Sequence, residues 1–202
     1  VQRITVPDNN RAARTFLTSR TGSLAFDIGA NIGQSAKVLA PNFTTVISCE
    51  PADDSWQLLA IEAPANVRPL NIAVAEHDGE LLLFEAENST GSGQLVYGPG
   101  LEWGRITGQV SVPCRTLDSL AAAYGQPDFV KVDVEGSELR VLQGATQVLA
   151  GRPGSWLVEV HHASHEPGVR DYLGGYTVSK HVHEHLPVGD PVRTNHFYLV
   201  AE

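Results

Sequence analysis

Phe26-Asp27-Ile28-Gly29-Ala30-Asn31-Ile32-Gly33-Gln34 is the stretch on which the fold turns. With Ser23-Leu24-Ala25 ahead of it, it reads as a short buried strand that runs into an acid, makes a glycine turn and opens a helix. That order sets backbone N–H groups and a carboxylate at the carboxyl edge of a sheet, where open α/β folds hold nucleoside-bearing cofactors. Gly29 and Gly33 accept backbone angles that a β-carbon resists, and they let a ligand approach the main chain.

Strand and helix patterns alternate outward from this point. Asp8-Asn9-Asn10 starts an N-terminal helix over about 8–18. A helix from about Gln34 to Leu39 stops at Pro41, and Thr44–Cys49 is a β-branched strand ending at Glu50-Pro51. Asp53-Asp54-Ser55 caps the next helix, and Val67–Asn71 is a third strand. The alternation then breaks in an insertion over about 78–112. It holds a hairpin turn at His77–Glu80, strands at Leu81–Phe84 and Val110–Val112, and a Gly-rich loop over 88–108 carrying Tyr97, Leu101 and Trp103. Thr116–Tyr124 reads as a helix and Phe129–Val134 as the fourth main strand, followed by one helix bearing Leu139, Leu142 and Leu149. Trp156–His161 is the fifth, and Tyr176–Lys180 with Phe197–Ala201 form a terminal hairpin. Repeated strand–helix units predict an α/β fold, a mostly parallel sheet with helices on both faces.

The chain has 202 residues, 42% of them hydrophobic, enough for one core, so residues 1–202 are expected to form a single domain. No apolar run is long enough to span a bilayer, and no leader is evident, so neither a membrane nor secretion is implied. The chain opens at Val1 and holds no Met, which places the expected natural start upstream. A net charge of -9 repels polyanions, and no Lys/Arg-rich run offsets it, so nucleic acid is not expected as a partner. Cys49 and Cys114, outside any CxxC pair, predict free thiols and a cytoplasmic location.

The polar strand ends carry the chemistry. Glu50 follows Asp27 at nearly the spacing of an acid that accepts hydrogen bonds from ribose hydroxyls; its plainer role is to cap the following helix. Lys131 and Asp133 share a strand face, and Glu135 follows. A charged group at a central strand end is costly to bury without partners. Either they form a structural ion pair, or one acid faces a ligand while Lys131 positions it. Glu159 shares a face with His161, so it can orient the ring and raise its basicity, which suits a general base; His162 follows directly.

Taken in order, these stretches resemble the FkbM-family methyltransferases. The resemblance rests on Asp27-Ile28-Gly29-Ala30-Asn31-Ile32-Gly33-Gln34, Glu50-Pro51, Asn71-Ile72-Ala73-Val74 and Thr116-Leu117-Asp118-Ser119-Leu120, followed by Lys131-Val132-Asp133-Val134-Glu135-Gly136-Ser137-Glu138 and Glu159-Val160-His161. It covers roughly 20–165 and implies the Rossmann-like class I methyltransferase fold, seven strands with the last antiparallel and S-adenosylmethionine (SAM) over the strand ends. Carried over, Asp27, Gly29, Asn31 and Gly33 would cradle the methionine part of SAM, Glu50 the ribose, and Ala73 and Val74 the adenine. Asp133 would sit by the methionyl end or the substrate. The implied reaction is O-methylation of a small hydroxylated molecule such as a polyketide or sugar. Candidate catalytic residues are His161, His162, Asp133 and Glu135, with Lys131 in support. The Gly-rich loop would be a lid or a plain surface loop.

Other readings carry less. A non-catalytic SAM-fold binding module and an NAD-dependent oxidoreductase are the alternatives, and a homo-oligomer stays open. Tyr176-Thr177-Val178-Ser179-Lys180 matches a dehydrogenase YxxxK, but it alternates like a strand, where the pair must share a helix face. Pro113-Cys114 resembles a cytosine-methylating motif but precedes the fourth strand. His181, His183 and His185 would share a face if extended, though close strand neighbours chelate one ion poorly. No metal site is assigned; a divalent ion on Asp133 and His161 is a minor alternative.

Overall fold

The computed structural model describes residues 11–87, 93–96, 105–182 and 197–202. In chain order the elements are α1 (Arg11–Thr18), β1 (Gly22–Ile28), α2 (Gln34–Leu39), β2 (Phe43–Cys49), α3 (Asp53–Glu62), β3 (Val67–Leu70), β4 (Ala73–Val74), β5 (Gly79–Glu87), β6 (Gly93–Val96) and β7 (Arg105–Arg115). There follow α4 (Leu117–Tyr124), β8 (Phe129–Val132), α5 (Glu138–Gln143), α6 (Thr146–Ala150), β9 (Ser155–Val160), α7 (Glu166–Tyr172), β10 (Val178–Val182) and β11 (Phe197–Ala201).

The main sheet has seven strands in the order β10-β11-β9-β8-β1-β2-β3. β3, β2, β1, β8 and β9 run parallel, and β11 pairs antiparallel with both β9 and β10. β1 therefore lies between β2 and β8, where the strand order reverses and a crevice opens at the carboxyl edge. The predicted α/β architecture, with its last strand antiparallel, is the one found.

Both sheet faces are covered, which explains why β1, β2, β8 and β9 are apolar along most of their length. On one face Ala25, Val46, Phe129 and Leu157 pack beneath Leu17 of α1, Leu39 of α2 and Leu59 of α3. The ring of Phe129 lies 6.1 Å from those of Phe16 and Phe43. On the other face Phe26, Ile47, Val130, Trp156 and Val158 meet Leu120, Val141, Leu142, Val148 and Val169. Each large side chain so buried contributes about 1.5–3 kcal/mol.

The insertion differs from its loop reading. β4, β7, β5 and β6 form a second, four-stranded sheet in that order. β7 runs from Arg105, inside the stretch read as loop, because Val110, Val112 and Cys114 alternate inward to pack with Leu81 and Leu83. His77–Glu80 joins strands on opposite sides of β7, so it is not a hairpin turn. Tyr97, Leu101 and Trp103, with the lid idea, lie outside the described residues, as do Asp8–Asn10, His183 and His185.

Two local expectations also shift. The helix after Gly136 is two short helices, α5 and α6, broken at Gly144-Ala145. Asp53 and Asp54 sit in the first turn of α3, whose cap position is Ala52, where acids still favour the helix dipole. Thr116 does cap α4, accepting the Ser119 N–H at 3.0 Å. Tyr176-Lys180 runs into β10 and is not helical, which disposes of the dehydrogenase motif.

Candidate active site

The turn after β1 is built from three left-handed residues: Gly29 (φ 74), Asn31 (φ 49) and Gly33 (φ 86). A Cβ on Gly29 would stand 1.8 Å from the carbonyl oxygen of Asp133, and one on Gly33 would meet Leu59 Cδ1 at 2.6 Å. The Cβ side of both glycines is therefore filled by protein, which lets the turn close against β8 and α3.

Glu50, just beyond β2, ties the crevice together. Its Oε2 accepts the Asn31 N–H at 2.8 Å and its Oε1 the Ala52 N–H at 2.9 Å. It thus does not cap α3 but ties the glycine turn to Ala52, the residue that opens that helix. Burial raises its pKa, and the two backbone N–H groups oppose that rise. Each oxygen keeps a lone pair for another donor, as a ribose diol requires. The donor set therefore fits an adenosyl ligand.

Asp27 is the penultimate residue of β1, fully buried, and lies directly beside Lys131 in the sheet register. The Lys131 ammonium sits 3.2 Å from Asp27 Oδ1 and 3.2 Å from Asp133 Oδ2, and donates to the Gly29 carbonyl at 3.0 Å. Burial opposes the lysine's charge, but Asp133 and Asp27 outweigh it and lift its pKa above the ordinary range. Asp27 Oδ2 has no hydrogen-bond partner among the described residues, a costly state for a buried acceptor. Because its side chain is shut from solvent, Asp27 offers the crevice charge more than direct contact.

A second group converges where β8 and β9 end. His161, one residue past β9 and 4% exposed, lies between acids on both ring nitrogens. Nδ1 is 2.8 Å from Glu138 Oε1; Nε2 is 3.2 Å from Glu135 Oε2, 3.6 Å from Asp133 Oδ1 and 3.9 Å from Glu159 Oε1. Desolvation would lower the ring's pKa, but Glu138, Glu135, Glu159 and Asp133 override it and push it up to about 10. Burial, and then the charge of Glu159, raise that of Asp133. Tyr198 of β11 is hydrogen-bonded to Glu159, and burial followed by that carboxylate raises its pKa. Acids at both ring nitrogens thus favour the protonated ring, which counts against His161 as a ready general base in the ligand-free chain.

Lys131, Asp133, Glu135 and His161 thus come together, with Asp27 behind them. The ring of His162 lies 5.1 Å from that of His165. Ala73 and Val74 form β4, with their side chains buried in two different cores, so they have only main chain to offer an adenine. Asp133, Glu159 and His161 bring candidate ligand atoms within 4.8 Å of one another. Lys131 and the charged ring already supply positive charge there, so a divalent ion gains no support. His181 is exposed, with Nε2 3.0 Å from Ser179 Oγ. Cys49 and Cys114 are buried free thiols.

Sequence reasoning missed Glu138. It is fully buried, and accepts the Gly136 N–H at 2.8 Å as well as facing His161; Oε2 lies 3.3 Å from His165 Nδ1. An acid in a helix's first turn is commonplace, and nothing in the spacing marks this one as buried. Only the apolar neighbours Val141 and Leu142, which turn α5 inward, hint at it.

A switch-point crevice after β1, an acid beyond β2 and polar tips on β8 and β9 define a class I methyltransferase fold. Three comparisons agree. The chain belongs to the FkbM methyltransferase family: the model described as Methyltransferase FkbM domain matches residues 27–185. It is 29% identical over 143 residues to the hexuronic acid methyltransferase AglP of Haloferax volcanii, a match that covers 67% of this chain and 55% of that protein. The chain therefore spans about half the length of that relative. Among solved structures, it superposes on a methyltransferase FkbM from Methylobacillus flagellatus with a TM-score of 0.63, 19% identity, and coverage of 91% of this chain and 44% of that one. It also superposes on SMU.1697c of Streptococcus mutans, solved with S-adenosylhomocysteine (SAH), with a TM-score of 0.54, 10% identity and 94% coverage of each. No helix of the described residues is long and apolar enough to cross a membrane.

Proposed function

We propose that this chain transfers a methyl group from SAM to a hydroxyl of a small molecule, with a sugar or polyketide as the acceptor class. The observation that carries this reading is Glu50, whose carboxylate is fixed by the Asn31 and Ala52 N–H groups just beyond the carboxyl end of β2. Family membership supports it, and so does the hexuronic acid acceptor named for the similar Haloferax protein.

When bound, SAM supplies a methyl carbon on a sulfonium, so the acceptor oxygen bonds to that carbon as the carbon–sulfur bond breaks. The chain's own residues must align the acceptor, exclude water and take its proton. Glu50 would hold the ribose hydroxyls. Asp27, held by Lys131, would place negative charge behind the cationic end of the ligand. Asp133 and Glu159, partly buried beside His161, would be the carboxylates that take the hydroxyl proton. Asp133 is the better candidate, since burial raises its proton affinity.

The test is incubation with methyl-labelled SAM and a panel of glycosides, hexuronic acids and hydroxylated polyketides. The reading predicts label on an acceptor oxygen, with SAH released in equal amount. SAM bound without transfer to any acceptor would favour a binding module instead. Nicotinamide binding in place of SAM would point to an oxidoreductase.

A further inference from the structure

His161 is gripped from opposite sides by two unlike carboxylates. Glu138, on the Nδ1 side, is fully buried and anchored by the Gly136 N–H. Glu135, on the Nε2 side, is partly exposed and sits on a left-handed backbone (φ 51), which is strained for a residue with a side chain. One carboxylate is sealed from water and the other is partly open to it.

We propose that Glu138 is a positioning residue: by accepting a hydrogen bond from Nδ1–H it holds His161 as a cation whose Nε2–H is presented to the acceptor oxygen, in place of Glu135. The inference rests on the methyltransferase reading and deepens it by assigning the ring's role. As the oxygen–methyl bond forms and the carbon–sulfur bond of SAM breaks, the acceptor's own proton goes to a carboxylate, Asp133 or Glu159, and SAH leaves. The Nε2–H orients the acceptor oxygen and keeps its proton throughout.

The charged groups around the ring are consistent with this. Glu138 of α5, Glu135 of the turn before it, Asp133 beyond β8 and Glu159 of β9 all face His161. Lys131 engages Asp133, Tyr198 of β11 engages Glu159, and His165 engages Glu138. Four acids against few cations keep a proton on the ring, and the pKa of Glu138 is correspondingly low, about 2, its hydrogen bonds from His161 and His165 outweighing the upward effect of burial.

Nitrogen-15 NMR of the histidine rings in the whole chain tests this without an acceptor. In the wild type at pH 8, both nitrogens of His161 should carry protons. A neutral ring with a bare nitrogen at that pH would overturn the proposal. Glu138→Gln, nearly the same shape, should bring the His161 titration midpoint down by at least one pH unit, a tenfold loss of proton affinity, while SAH still binds. Glu138→Asp, which keeps the charge, should restore part of the shift. An unmoved midpoint in a Glu138→Gln protein that binds SAH would also overturn it. SAH binding itself reports on the methyltransferase reading, so the two can fail separately.

Discussion

Lys131 Nζ stands 3.2 Å from Asp27 Oδ1, joining side chains that lie next to each other on β8 and β1 with almost no access to water. Removing one partner of a buried ion pair strands the other charge, at a cost of about 3–5 kcal/mol. Lys131→Met is therefore expected to lower unfolding free energy by about that much in urea titration, and more than Asp27→Asn, after which Lys131 keeps Asp133 as a partner. Equal effects would mean that Asp133 does not support Lys131 as described.

Glu50 makes a prediction about binding. Hydrogen bonds to a charged group contribute about 1.5–3 kcal/mol, so Glu50→Gln should weaken SAH by ~10- to 150-fold in a titration. Circular dichroism should show the fold kept, because the amide oxygen can still accept one of the two backbone N–H groups.

Gly29 makes one about packing. Gly29→Ala would drive a methyl into the Asp133 carbonyl at 1.8 Å on a left-handed backbone. Left-handed strain and overpacking together should cost at least ~2 kcal/mol, seen as a fall in Tm of roughly 5 °C or more. A variant as stable as the wild type would show that the turn is not clamped as described.

The Glu138–His161 pair sets a pH window. The His161 pKa is raised from 6.5 to about 10, so its stabilisation is complete below 6.5 and is lost as pH rises toward 10. The Glu138 pKa is lowered from 4.5 to about 2, so its stabilisation is complete above 4.5 and is lost as pH falls toward 2. The pair therefore stabilises fully only between about 4.5 and 6.5. Thermal melts across pH should show wild type losing stability relative to His161→Ala between 7 and 10.

Much of this was legible in the chain, for physical reasons. Buried parallel strands advertise themselves as apolar runs, and a glycine turn between strand and helix is a strong local signal, so Asp27, Glu50, Asp133 and His161 could be placed at strand ends. Strand periodicity likewise put Lys131 with Asp133 and Glu159 with His161. What the chain concealed was partnership across elements. That the Cβ side of Gly29 closes on Asp133, and that Glu138 outranks Glu159 as the partner of His161, depends on how β1, β8 and α5 dock. The second sheet was hidden because Gly- and Ser-rich composition masked the strand alternation that resumes by Val110.

The most direct measurement is calorimetric titration of the intact chain with SAH, wild type beside Glu50→Gln. One saturable site in the wild type, weakened at least tenfold in the variant, is the predicted result. Heatless mixing with the folded wild type, or an affinity indifferent to Glu50→Gln, would contradict the claim that these strand ends form an adenosyl pocket.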